Sequence, residues 1–340
     1  MKKHIVVVLS LSVLTLLSSC NQGKAADEKV EIEKVKTASV DTVKKKAVST
    51  IDTVDYNKRM IALSNDTTGR WPVKTPYPLP GAILPYNRII AFYGNLYSTR
   101  MGVLGEYPRA VMIEKLKGEV AKWNAADPTV KAIPAFHYIA VTAQGAPGKD
   151  NMHRMRMPFK QIDTVIKWAK PIDALVFLDI QVGHSTVKKE VSELVEYLKL
   201  PNVHLGIDPE FSMKNGEIPG KKIGTFDAAD LNDAIDIMAK VVRENNLPPK
   251  VFVIHRFTQG MVTNYKNIKT LPEVQVVMHM DGFGSKVLKK STYLTYIKRE
   301  PVQFTGFKLF YKNDNWNDWK IYEPEELLKL TPRPSYIQFQ

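Results

Sequence analysis

The chain has 340 residues, 44% of them hydrophobic, which is enough to bury the core of one large or two medium domains and too apolar for a disordered chain. Its formal charge of +13 is carried by lysines spread along the chain, the pattern of a solvated basic surface, so no nucleic-acid partner is expected. The single cysteine, Cys20, excludes an internal disulfide and a cysteine-ligated metal.

Residues 1–20, MKKHIVVVLSLSVLTLLSSC, join a lysine pair, an apolar run of signal-peptide length and small residues before Cys20. This resembles a bacterial lipoprotein signal peptide with Leu17, Ser18, Ser19 and Cys20 as its lipobox. The resemblance implies removal of 1–20, lipidation of Cys20, and an extracytoplasmic protein held on the bacterial membrane by that lipid. Asn21 after the cysteine suits the outer membrane or cell surface in an organism that has them. Residues 21–55 lack aromatics and are rich in Lys, Glu, Thr and Val, which predicts a flexible linker ahead of a folded domain at 56–340. The proline-rich WPVKTPYPLPGAILP, 71–85, cannot form a helix or an inner strand and is expected to wrap the domain surface.

From residue 88 onward, eight apolar runs read as strands: RIIAFYG (88–94), IPAFHYIAV (133–141), ALVFLDIQVG (174–183), VHLGIDPEF (203–211), KVFVIHRF (250–257), VQVVMHMDGFG (274–284), FTGFKLFY (304–311) and YIQFQ (336–340). The segments between them carry apolar residues at helical spacing, strongly at 107–126, 158–170, 186–200 and 227–246 and more weakly at 285–299 and 324–330. Eight nearly continuous hydrophobic strands alternating with helices predict an α/β fold, a single-domain (β/α)8 TIM-like barrel whose last strand is 336–340. An open doubly wound sheet is the alternative. No GxGxxG follows the first strand, and GVLGEYP (102–108) is a poor substitute.

In such a barrel the active site lies at the C-terminal strand ends. The polar residues there are Tyr93 and the later Glu106, then His137 and Tyr138, then Asp179 and Gln181, then Asp208 and Glu210, then His255, then His279 and Asp281, and last Lys308 and Tyr311. Asp208 and Glu210, at i and i+2 of a predicted strand, are expected to share a face. Asp179, within a strand, is a buried carboxylate that needs a partner, and either a structural partner such as Arg88, Arg100 or Arg256 or a catalytic role of its own is expected for it. Two carboxyl groups across a cleft can hydrolyse a glycosidic bond, one as proton donor and one as base or nucleophile. Tyr93, Tyr97, Tyr138, Phe211, Phe283, Tyr311, Trp316 and Trp319 are candidate surfaces for sugar faces.

The Asp208-Pro209-Glu210 triplet is similar to the end of the DxxDxDxE motif of chitinase-like glycoside hydrolases, with Gly206 and Val203 at the places of the earlier acids. The resemblance implies that Glu210 is the general acid and Asp208 its neighbour. MHMD, 278–281, is similar to their MxYD, with Asp281 matching and Met280 replacing the tyrosine. Over about 85–340, FYGNLYSTRMGVLGEY, LGIDPEFSMKNGEIPGKKIGTFDAADLN, VIHRFTQGMV and GFKLFYKND resemble bacterial secreted proteins and lipoproteins with a glycoside-hydrolase-like barrel; this implies the fold and location but no particular reaction.

The expected function is therefore a cell-envelope glycoside hydrolase acting on a glycan or cell-wall polysaccharide. Glu210, Asp208 and Asp281 are its catalytic candidates, and Tyr93, Glu106, His137, Tyr138, Asp179, Gln181, His255, His279, Lys308 and Tyr311 its substrate-binding candidates. No HxH or HExxH spacing occurs, so neither metal nor cofactor is expected. Two alternatives stand beside it. One is a non-catalytic glycan-binding envelope protein; the other is a metal-dependent hydrolase using Asp208, Glu210, His255, His279 and Asp281.

Overall fold

The computed structural model describes residues 50–65 and 69–340, so the expected signal peptide, Cys20 and most of the expected linker lie outside the described residues. Strands β1 (Asn87–Gly94), β2 (Lys131–Ala143), β3 (Leu175–Ile180), β4 (Val203–Ile207), β5 (Lys250–Arg256), β6 (Val274–Met280), β7 (Phe304–Leu309) and β8 (Tyr336–Phe339) pair in that order, each parallel to the next. β8 pairs back onto β1, Ile89 opposite Tyr336, and closes the ring. The chain is a (β/α)8 barrel, as expected from the alternation of its apolar runs.

Helices Arg109–Ala126, Phe159–Ala169 and Ala228–Asn245 form the outer layer with shorter pieces at Lys286–Thr292 and Pro324–Leu327. The helix expected over 186–200 is broken into Val187–Ser192 and Val195–Leu198. Among the described residues no helix is long and apolar enough to cross a membrane. Folded structure also begins before the expected boundary at 56: helix Thr53–Ser64 starts inside the predicted linker, where the Asp52 carboxylate accepts from the amides of Val54 and Asp55. That cap satisfies amides that a helix start otherwise leaves unpaired.

Strand alternation sorts the side chains. Ile90, Phe92, Phe136, Val176, Leu178 and Ile254 face outward into the helix layer. Ile89, Ala91, Ala135, Phe177, Val251, Val253, Val277 and Phe304 face inward, and Leu84 with Tyr56 and Met60 from the N-terminal helix packs against them. The proline-rich segment thus does more than wrap the surface: the Gln275 side chain accepts from the amides of Ile83 and Leu84 and donates to the Leu84 carbonyl, fixing that segment to β6.

Two residues further along each strand the inward position recurs, and there the chemistry changes. Above Ala91, Ala135, Phe177, Val253, Val277 and Tyr336 stand Tyr93, His137, Asp179, His255, His279 and Gln338, all buried. The middle of the barrel is therefore a polar layer on an apolar base. Glycines make room for it. A Cβ on Gly206 would lie 2.4 Å from His137 Nε2 and 2.6 Å from Asp179 Oδ1, and one on Gly306 2.5 Å from His279 Nδ1. Gly206→Ala is accordingly expected to destabilise the fold by about 1–3 kcal/mol, through overpacking. A urea midpoint lowered at unchanged slope would show it; an unchanged midpoint would mean the polar layer yields freely.

Candidate active site

A cleft of about 620 Å³ opens over the C-terminal ends of the strands. Its polar lining includes Tyr93, Gln181, Asp208, Glu210, Asp281 and Lys308, and its apolar walls include Phe211, Phe257, Phe283 and Phe310.

The pair Asp208 and Glu210 does not share a strand face. β4 stops at Ile207, because Pro209 has no amide proton for a ladder, and Pro209–Phe211 turns as a 3-10 helix. Asp208 caps that turn, accepting from the Glu210 amide at 3.0 Å, and the Gly224 amide donates to the Glu210 carbonyl at 2.7 Å. Asp208 is thereby buried, while the Glu210 side chain stands half-buried in the cleft wall. Asp281 comes from the other side, just past β6, its amide bonded to the Arg256 carbonyl at 3.1 Å.

The three carboxyl groups have opposite surroundings. Asp281 takes Lys308 Nζ at 2.9 and 3.1 Å on its two oxygens and His255 Nδ1 at 2.7 Å. Those cations outweigh burial and hold it ionised, well below the usual carboxylate range. Glu210 is raised, first by burial and then by the Asp281 charge, with Lys308 and His255 opposing. Asp208 is raised well above its ordinary value, mainly by burial. Lys308 also lies 4.0 Å over the Tyr93 ring, so the cleft floor is a cation on an aromatic face.

Beneath that floor, Asp179 takes Tyr93 as a hydroxyl donor at 3.3 Å on Oδ2. Its Oδ1 faces His137 Nε2 at 3.2 Å and His255 Nε2 at 3.5 Å. Burial pushes His255 down, but Asp179 and Asp281 on either side override it and raise the ring to about 10. His137 falls to about 4, since burial there exceeds the pull of Asp179. His279 has no hydrogen bond on either ring nitrogen among the described residues, and meets His255 and Tyr336 edge-on with centroids 5.1 Å away. Among the described residues, His137, Asp179 and His255 are the group of ligand-type side chains whose donor atoms all lie within 4.8 Å of one another.

No family model matches the chain, and no curated protein matches it in sequence. Similar solved structures include active domain 2 of a chitinase from Pyrococcus furiosus, 14% identical, covering 78% of this chain and 84% of that one with a TM-score of 0.42. A cellulase is 12% identical over 68% of this chain and 74% of its own, TM-score 0.38. A broad-specificity endoglucanase from Clostridium longisporum is 12% identical over 66% and 75%, TM-score 0.37. These low similarities provide no residue-level correspondence.

Of the residues singled out in the sequence, Tyr93, Gln181, Asp208, Glu210, Asp281 and Lys308 meet at the cleft, and His137, Asp179, His255 and His279 lie together below it. Tyr138 and Tyr311 do not belong to the cleft. Tyr138 follows an inward position of β2, so parity turns it outward, and Tyr311 lies in the turn beyond β7. Tyr138 donates to Gln161 in the helix layer, and Tyr311 stacks on Phe339 at 5.2 Å and donates to Glu119 at 3.1 Å. Glu106 sits outside the main cleft in an ion pair with Lys312.

The expected arginine partner of Asp179 is corrected to two histidines. Arg88 instead pairs with Asp127 at 2.9 Å, Arg256 with Glu300 at 2.6 Å, and Arg100 lines the cleft. The ligand set expected for a metal-dependent hydrolase, which combined Asp208, Glu210 and His279 with His255 and Asp281, does not assemble among the described residues. Sequence reasoning missed Phe257 and Phe310 as cleft walls; the signal was their place one residue beyond β5 and β7.

Proposed function

We propose that this protein is a glycoside hydrolase of the bacterial envelope, with Glu210 as proton donor, Asp281 as the ionised carboxylate and Asp208 as the residue that fixes the Glu210 turn. The observation carrying this reading is that one cleft holds a raised Glu210 and a lowered Asp281. Such a split is how one site keeps an acid and a base at the same pH. Glu210 gives its proton to the glycosidic oxygen as the bond breaks, Asp281 stabilises the positive charge that develops on the sugar ring, and a water that adds to the anomeric carbon completes the hydrolysis and returns a proton to Glu210. Phe211, Phe257, Phe283 and Phe310 supply apolar surface for sugar faces. A lipid on Cys20 would tether the domain outside the cytoplasm, a placement supported by the run from Leu17 to Cys20.

The test is release of new reducing ends from a panel of cell-wall and environmental polysaccharides. Measurable binding without release would make the protein a glycan-binding module on the same barrel. For an active substrate, kcat/KM is expected to fall on the alkaline side as Glu210 loses its proton, at a pH above the ordinary glutamate value of 4.5. Asp281→Asn removes a charge that raises Glu210, so in that variant the alkaline limb should move to lower pH. A limb that does not move would detach it from Glu210.

A further inference from the structure

We propose that His137, Asp179 and His255 bind a divalent transition-metal ion such as zinc in the barrel interior, below the cleft floor and out of reach of substrate. His137 Nε2, Asp179 Oδ1 and His255 Nε2 are fully buried, converge on one spot, and make no hydrogen bond among the described residues. Buried polar atoms left unpaired are costly and call for an occupant.

The hydrogen bonds behind the rings narrow down that occupant. His255 Nδ1 is committed to Asp281 at 2.7 Å, so in the metal-bound form its Nδ1–H donates there while the ion takes the place of the Nε2 proton between the ring and the Asp179 carboxylate. The 3.5 Å contact to His255 and the 3.2 Å contact to His137 are not aligned hydrogen bonds, so protons alone fill the spot poorly. A metal ion fits the two distances from Asp179. With metal–nitrogen and metal–oxygen bonds of about 2.0–2.2 Å, tetrahedral ligands stand roughly 3.3 Å apart.

The outer contacts match as well. His137 Nδ1 meets the Tyr336 hydroxyl at 2.6 Å and His255 Nδ1 meets Asp281, the kind of partners that orient metal-bound imidazoles. Gly206, which has no room for a Cβ against His137 and Asp179, leaves the two ligands free to converge. Lys308 leaves Asp179 to the metal, since its ammonium is taken by Asp281. The ion would clasp β2, β3 and β5 and, through His255, hold Asp281 in place.

The full chain, dialysed against a chelator and titrated with Zn²⁺ or Co²⁺, tests this. The expected result is one equivalent of zinc per chain, a visible Co²⁺ absorption that zinc abolishes, and a melting temperature that rises with free zinc. Asp179→Asn and His137→Gln should each weaken zinc binding by about 100-fold or more. Should a variant fail to fold, the cobalt spectrum of the unaltered protein decides alone. No stoichiometric binding at micromolar zinc, or binding that survives in both variants, would overturn the proposal. Glu210→Gln should bind zinc as the unaltered protein does, so failure of the glycosidase reading and failure of this one are separable.

Discussion

Glu210→Gln is expected to lower kcat/KM on an unactivated glycan by about 10²–10⁴-fold while leaving the protein folded. Glutamine keeps the volume and the polarity of the side chain but has no proton to give. Among the described residues the Glu210 carboxyl makes no ion pair and is only half-buried, so its amide replaces nothing structural; a change in stability beyond about 0.5 kcal/mol is not expected. The decisive readout is the leaving group. An aryl glycoside whose phenol departs readily needs little protonation, so the variant should recover much of its rate on that substrate while remaining slow on a sugar leaving group. An equal loss on both would mean that Glu210 binds substrate rather than protonating it.

The barrel was legible in the sequence because its strands are covered on both faces. Burial on two sides writes an unbroken apolar run such as RIIAFYG, and eight such runs with helical spacing between them leave few alternatives. The polar residues at the strand ends were legible for the same reason, since a charged side chain in an apolar run stands out. What the runs did not show was their parity. Reading His137 with Tyr138 placed both in the cleft, whereas alternation sends one to the barrel interior and the other to the helix layer. A strand read as extending to Phe211 likewise put Asp208 and Glu210 on one face, and the proline between them ended the ladder first.

The partners of Asp179 were hidden more deeply. Long arginines looked like its natural neighbours, but Arg88 and Arg256 alternate with inward residues and face outward, and the pairing depends on the register that sets β3 beside β2 and brings β5 level with them across β4. Sequence carries that register only through contacts that are distant along the chain. The same limit explains Gly206, which reads as a weak strand residue until His137 and Asp179 are seen pressed against it.

The largest expected loss of stability lies at the cleft rim, in Asp314→Ala. Lys289 and Asp314 are both almost wholly buried and meet at 2.6 Å. Each is also tied to backbone. Lys289 donates to the Lys308 carbonyl at 2.8 Å and lies over the rings of Phe307 and Phe310, while Asp314 accepts from the amides of Phe310 at 2.9 Å and Gly284 at 3.0 Å. One carboxylate thus joins the loop after β6 to the loop after β7, the two segments that carry Phe283 and Phe310. Removing it strands a buried ammonium and two amides together, and breaking a buried pair from one side costs about 3–5 kcal/mol. Asp314→Asn keeps an acceptor for the amides but loses the charge, so it should fall between the parent and the alanine variant in thermal unfolding. Lys289→Met should be milder than Asp314→Ala, because the carboxylate it leaves behind still has both amides and the methionine still packs on the phenylalanines. If the three variants unfolded at the same temperature, the rim would be held by its apolar contacts and the ion pair would be incidental to it.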